Sequence, residues 1–419
     1  MSQPPLPPLP WALSTYASPA LTMLDSSPGL PHALVVLPGL TDTLGSLPYT
    51  DALVRALHPL GVAVVLPQLS SGLGGWGVAS VEADAREAAA AVAALRARGR
   101  RAVFLLGHST GCQDIMAFLS APRAPECAVQ GAVLQAPCSD RLDWEEGSDD
   151  EAAQAQLEEA TRLVRAGQGS TLLPRAVAAP RPAHAVGRTG SEPMGANGAN
   201  ITEPPMTAYR YWSLYAPGGD DDYFSGDLPE SSQRAIWQRA LEGLRRQWKD
   251  EAEVPGRPEL LALCGDEDEY MHAPYLAGAV VSQWNGLALS APDAAFAAMV
   301  VPAANHKVDA AAAQQHVVHA VCNLVRRVLA QPELPALESL TLSDAQREGH
   351  KGEHPQSFDA IVELITTGRA DAIPGIRQIP SKISDAPPSE AVLARPLKPW
   401  ERPQDDSAQE PHHAGAPAM

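Results

Sequence analysis

Five short runs set the frame for what this chain can fold into. They are "HALVVLPG" (residues 32–39), "GVAVVLPQ" (61–68), "AVFLLG" (102–107), "QGAVLQAP" (130–137) and "ELLALCG" (259–265). Each is apolar at consecutive positions, so both faces of an extended segment need cover. Such strands belong in a parallel sheet with helices on both sides, because a half-solvated antiparallel strand alternates instead. The stretches between them supply the helices. In "SVEADAREAAAAVAALRARG" (80–99), Glu82 and Asp84 fall in the first turn, where acidic side chains meet the positive end of the helix dipole. Ser80 precedes them, although Ala83 denies it a full capping box. This alternation of strand and helix predicts a doubly wound α/β sheet.

The rhythm breaks after Pro137. Residues 139–250 read as an insertion: an acidic helix "DDEAAQAQLEEATRLVRAGQG", a Pro/Gly-rich loop over 178–205, then "YRYWSLYAPGGDDDYFSGDLPE". An insertion there covers the C-terminal ends of the strands, where the loops that build a site lie, and so acts as a lid. The strand pattern resumes near Glu259 and closes with the amphipathic run "VDAAAAQQHVVHAVCNLVRRVL". The main domain therefore spans 30–330, after a proline-rich N-terminal segment over 1–29. A polar linker (331–354), a compact unit (355–403) and a disordered tail (404–419) follow.

A net charge of −18 opposes nucleic acid as a partner, since the phosphate backbone repels it. No apolar run approaches the roughly 20 residues of a membrane span. The N-terminal "MSQPPLPPLPW" lacks the basic-then-apolar order of a secretory signal. The five cysteines (Cys112, Cys127, Cys138, Cys264, Cys322) are scattered and odd in number, which reads as reduced thiols in the cytoplasm.

One pentapeptide carries the chemistry. Gly107-His108-Ser109-Thr110-Gly111 fits G-x-S-x-G and stands between a predicted strand and a predicted helix. That context lifts Ser109 above the strand end on a tight, strained turn and aims the Thr110 N–H at a developing oxyanion. A serine hydroxyl is a weak nucleophile, so it needs a base held by an acid. After "ELLALCG" come Asp266, Glu267, Asp268 and Glu269; Asp268 is the expected acid and Asp266 the alternative. His306, in the loop after "AAFAAMVVP", completes the order Ser109, Asp268, His306. The second oxyanion donor is expected in "PGLTDTL", from the Leu40 N–H or else Thr41, because Gly39 lets the backbone approach closely.

The other candidates have plainer readings. Cys112 is a small residue in the first helical turn, and His108 packs beneath the elbow. His272, His316 and His319 show no ligand spacing, so neither metal nor cofactor is assigned. Asp220, Asp221 and Asp222 read as a solvated turn after Gly218-Gly219, with reception of a cationic substrate as the alternative. Trp76, in "GLGGWGVAS", is expected to pack near the site.

With these residues in hand, the chain resembles the α/β-hydrolase family that includes fungal esterases acting on the siderophore fusarinine C, together with plant members. The resemblance spans residues 34–329 and rests on "PGLTDTL", "LSSGLGGWGVAS", "GHSTGCQD", "LQAPCSDR", "YRYWSLYAPGGDDDYFSGDLP", "DEDEY" and "ANHKV", in that order. It implies the α/β-hydrolase fold, the triad Ser109, Asp268, His306, and ester-linked hydroxamate siderophores as a substrate class. Pro38 and Thr43 depart from the family, which tends to carry glycine there.

Residues 355–403, "SFDAIVELITTGRADAIPGIRQIP" and then "LKPWERP", resemble the small KPWE-motif domain of peroxin-related proteins. Trp400 beside Pro399, flanked by Lys398 and Glu401, is an aromatic anchor on a stiff segment, suited to a partner's groove unless it folds back on its own helix. That resemblance implies partners in the peroxisomal import machinery and association with the peroxisome. The expected function is an esterase acting on a small-molecule ester, with a peptidase using the same machinery or a non-catalytic scaffold as the alternatives.

Overall fold

The computed structural model describes residues 9–17, 20–141, 151–174, 204–248, 256–271, 276–288 and 295–334. The chain divides into two units, 1–340 and 341–419. Every described residue lies in the first, so Lys398, Pro399, Trp400 and Glu401 fall outside the described residues.

Eight strands form one sheet: β1 (Ala12–Ala17), β2 (Leu21–Asp25), β3 (His32–Leu37), β4 (Val62–Pro67), β5 (Ala102–His108), β6 (Gly131–Gln135), β7 (Glu259–Gly265) and β8 (Ala295–Val301). Their order is β1-β2-β4-β3-β5-β6-β7-β8. All pairings from β4 to β8 are parallel, and β1 and β2 join antiparallel. The described helices are α1 (Thr50–Leu57), α2 (Val81–Ala97), α3 (Thr110–Ser120), α4 (Glu151–Arg165), α5 (Ala208–Tyr215), α6 (Glu230–Trp248), α7 (Leu276–Ala288) and α8 (Ala311–Val328). This is the α/β-hydrolase fold, a mostly parallel doubly wound sheet.

The double-sided apolar runs have a direct explanation. Along β5, Val103 and Leu105 join a core with Ile115, Met116, Phe118, Trp237 and Leu241. The alternate residues Phe104 and Leu106 join a second core with Leu53, Leu57, Val317 and Leu324. Both sets are fully buried, and each such side chain contributes about 1.5–3 kcal/mol. Helix α2 starts where the sequence predicts: the extended Ser80 accepts the Ala83 N–H at 3.1 Å.

Two parts of the sequence reading need correction. The proline-rich segment contributes the hairpin β1–β2, which registers on β4 through Met23↔Pro67 and Asp25↔Val65. Buried Arg100 donates to Asp25 Oδ2 at 2.6 Å and fastens the hairpin to the core. The other correction concerns the insertion. Helix α6 packs in the core layer rather than above it, and a Cβ on Gly243 would collide with the Leu119 carbonyl of α3. The cap proper is built from α4, α5 and the bridge Leu172↔Thr207. Its apolar cluster takes in Trp76, Leu163, Tyr211 and Leu214, with Leu40 packed against it. No helix among the described residues is long and apolar enough to cross a membrane.

Candidate active site

A single residue, Ser109, separates β5 from α3, and its φ of 53° and ψ of −122° lie where a side chain is strained. Glycines on either side make that turn feasible. A Cβ on Gly107 would stand 2.8 Å from the Cys112 nitrogen, and one on Gly111 would stand 2.9 Å from the Pro38 carbonyl oxygen. The loop after β3 therefore runs directly across the start of α3. The elbow is tied to β6 by the Ser109 N–H, which donates to the Gln135 carbonyl at 3.1 Å. Ser109 remains partly exposed while the rest of the first turn is buried.

Asp268 follows β7 and His306 follows β8. The His306 Nδ1–H donates to Asp268 at 2.9 Å (Oδ1) and 3.0 Å (Oδ2), with both residues buried. A carboxylate on Nδ1 fixes the neutral tautomer and leaves the Nε2 lone pair free to accept a proton. The Tyr270 N–H donates to Asp268 Oδ1 at 2.9 Å, and the Tyr270 ring lies 4.4 Å from the imidazole, centroid to centroid. Asp266 does not reach the imidazole: its N–H bonds to the Val301 carbonyl and its Oδ1 is buried without a partner among the described residues.

The His306 backbone is held at both ends. Its N–H donates to Glu269 Oε2 at 2.9 Å, and its carbonyl accepts from Gln135 Nε2 at 3.1 Å. From sequence alone Glu269 is only a rival acid, and Gln135 carries no signal of a role. Gln135 Oε1 also accepts from Tyr49 Oη at 2.9 Å and His108 Nδ1 at 2.7 Å. The buried His108 ring lies 4.9 Å from that of His306. Burial first, then His306, pushes its pKa down to about 3, so it stays neutral.

The structure does not join Ser109 to His306 by a hydrogen bond among the described residues. Ser109 instead stands beside the Cys138 thiol, whose pKa burial pushes well up. Cys112 sits in the first turn of α3 as a buried thiol raised in the same way by burial, inert rather than nucleophilic. Near the elbow, a Cβ on Gly39 would lie 3.0 Å from Ser109 Cβ. The Leu40 and Thr110 N–H groups carry no backbone partner among the described residues. No group of three or more His, Cys, Asp or Glu side chains among those residues is arranged to hold a metal.

The aspartate triplet corrects a further expectation. Asp220 is exposed, but Asp221 and Asp222 are buried and paired. Arg210 of α5 donates Nη1 to both Asp221 oxygens at 2.8 and 2.7 Å and Nε to the Trp76 carbonyl at 2.9 Å. Arg141 holds Asp222 at 3.1 Å and Asp227 at 2.8 Å. The "YRYW" run held the signal for the first pair, because an arginine amid aromatics on a cap helix needs a buried counter-ion. Around Arg210 also stand Asp84 of α2 and Asp114 of α3, both raised by burial, Asp84 to about 7 and Asp114 well above the carboxylate range. Trp76 is buried under the cap, in the cluster against which Leu40 packs.

Residues 8–330 match the family described as "Protein of unknown function (DUF1749)". The chain belongs to this family. Residues 353–402 match the "PEX14-like KPWE domain". Among relatives, Esterase AN6793 of Emericella nidulans is 30% identical, covering 55% of this chain and 70% of that protein. Fusarinine C esterase sidJ of Aspergillus fumigatus is 27% identical, covering 48% of this chain and 63% of that one. Among solved structures, the siderophore hydrolase EstB from Aspergillus fumigatus superposes with a TM-score of 0.57 at 22% identity, over 77% of this chain and 98% of EstB. That likeness fixes the fold.

Proposed function

We propose that this chain is a serine hydrolase of the esterase class, with Ser109 as nucleophile, His306 as base and Asp268 as its orienting acid. The observation that carries the reading is the Asp268–His306 pair, formed after two separate strands and set beside the strained Ser109 elbow. In the reaction, the Ser109 hydroxyl is presented to His306 Nε2. Its oxygen then attacks the ester carbonyl while Nε2 takes the proton. The oxyanion is met by the Leu40 and Thr110 N–H groups, each such donor being worth about 10²–10³-fold in rate. Collapse expels the alcohol, which takes the proton from His306. Water, deprotonated by the same nitrogen, then frees the acid and regenerates Ser109.

The relative named as a fusarinine C esterase supports ester-linked hydroxamate siderophores as the substrate class. A panel of p-nitrophenyl esters and fusarinine C, assayed with wild type and Ser109→Ala, tests this. Turnover confined to wild type is expected; equal rates in both proteins would refute the assignment. The KPWE match favours a second, compatible role, in which Lys398, Pro399, Trp400 and Glu401 dock on a peroxisomal import protein and bring the chain to the peroxisome. Co-purification of such a protein that survives Trp400→Ala would refute it.

A further inference from the structure

The oxyanion loop and the His306 segment must stay in register, yet no backbone ladder joins them. The loop follows β3 and His306 follows β8, with β5, β6 and β7 lying between them in the sheet. One ion pair bridges the gap: Lys307 Nζ donates to Asp42 Oδ1 at 2.7 Å across 265 residues of sequence. Asp42 closes the oxyanion loop, its N–H donating to the Gly39 carbonyl at 3.1 Å after Thr41 at φ 66°. Its second oxygen faces inward, 3.9 Å from His108 Nε2. Lys307 follows His306 directly, between Ala303 (φ 51°) and Val308 (φ 59°), so the turn carrying the imidazole has strained, non-glycine residues on either side.

We propose that the Asp42–Lys307 pair is a positioning clamp for acyl transfer, holding the Leu40 N–H and the His306 imidazole in one geometry around Ser109; the proposal rests on the serine-hydrolase reading above. Burial and magnitude separate this role from plain structural support. The Lys307 side chain is 34% exposed, so solvent screens the pair and weakens it as a stabilising contact. A displacement of about 1 Å at the reacting groups, in contrast, costs on the order of 10²-fold in rate. The clamp therefore predicts a large loss of kcat with almost no loss of fold.

The test uses the full chain with p-nitrophenyl butyrate, and the rate of fluorophosphonate labelling at Ser109 as a second readout. Asp42→Asn and Lys307→Met each lower kcat and the labelling rate on the order of 10- to 100-fold, with KM nearly unchanged and Tm within about 3 °C. The double variant is no worse than either single one, because both remove the same interaction. Lys307→Arg, which keeps the charge and the reach, restores most of kcat. Wild-type kinetics in Asp42→Asn overturn the clamp and leave the esterase reading intact. A rise in KM at unchanged kcat in Lys307→Met overturns it differently, by making Lys307 a substrate contact. A wild-type chain that is inert to the ester and unlabelled at Ser109 removes the parent reading and the clamp with it.

Discussion

Replacing Arg210 by methionine tests what holds the cap on the core. Arg210 and Asp221 have side chains 1% and 0% exposed, so the variant leaves Asp221 as an uncompensated buried anion and the Trp76 carbonyl without its donor. Breaking such a pair from one side costs about 3–5 kcal/mol. At about 2 °C per kcal/mol for a domain of this size, Tm falls by about 6–10 °C.

The pH dependence adds a second, independent check. Asp84 and Asp114 have folded pKa values above their unfolded ones, so the native state binds the extra protons. The Asp84 contribution is complete below about pH 4 and is lost as pH climbs through 7; Asp114 acts in the same direction. His108 and His32 work the other way: burial depresses them to about 3 and about 4, so their contribution is complete above about pH 6.5 and lost in acid. Between about pH 6.5 and 8 these histidines no longer contribute and the raised carboxyls set the direction. Wild-type stability should therefore fall across that window, by up to about 1.4 kcal/mol per pH unit for each proton released. Arg210 lowers both carboxyls, so its removal holds their protons to higher pH and moves the decline upward. Thermal melts of the full chain at pH 6.5, 7.2 and 8.0 read both effects. A variant melting within about 2 °C of wild type would refute the latch. A wild-type Tm that rises with pH across the window would refute the protonated cluster.

Asp268→Asn keeps the shape of the site but forces the wrong imidazole tautomer, so kcat should fall on the order of 10⁴-fold while KM moves little; steady-state ester hydrolysis measures it. Gly111→Ala places a Cβ against the Pro38 carbonyl and pushes the oxyanion loop off the elbow. It should abolish ester turnover and lower the urea midpoint, by a destabilisation of about 1–3 kcal/mol for an overpacked contact.

Local pattern fixes the central strands and the elbow, because the runs at β3 to β7 are apolar on both faces and the serine stands between glycines that the turn requires. The hairpin escaped because "ALSTYA", at the sheet edge, and "LTMLD", beside it, are partly solvated and mixed in composition, behind a proline-rich lead. Asp221 and Asp222 escaped for another reason. A run of aspartates reads as solvated until its counter-ions are known, and these come from Arg210 and from Arg141, 81 residues away from Asp222. Glu269 and Gln135 act on the His306 main chain, a contact without a sequence signature. The α6 stretch reads as part of the insertion from its place in the chain alone, whereas its packing against α3 depends on Gly243 meeting Leu119.

The most direct measurement is peptide mapping by tandem mass spectrometry after treatment with a fluorophosphonate. One phosphonyl adduct on Ser109, absent in Ser109→Ala and strongly slowed in His306→Ala, is the predicted result. No adduct on the wild-type protein, or one carried by another residue such as Cys138, would contradict the account.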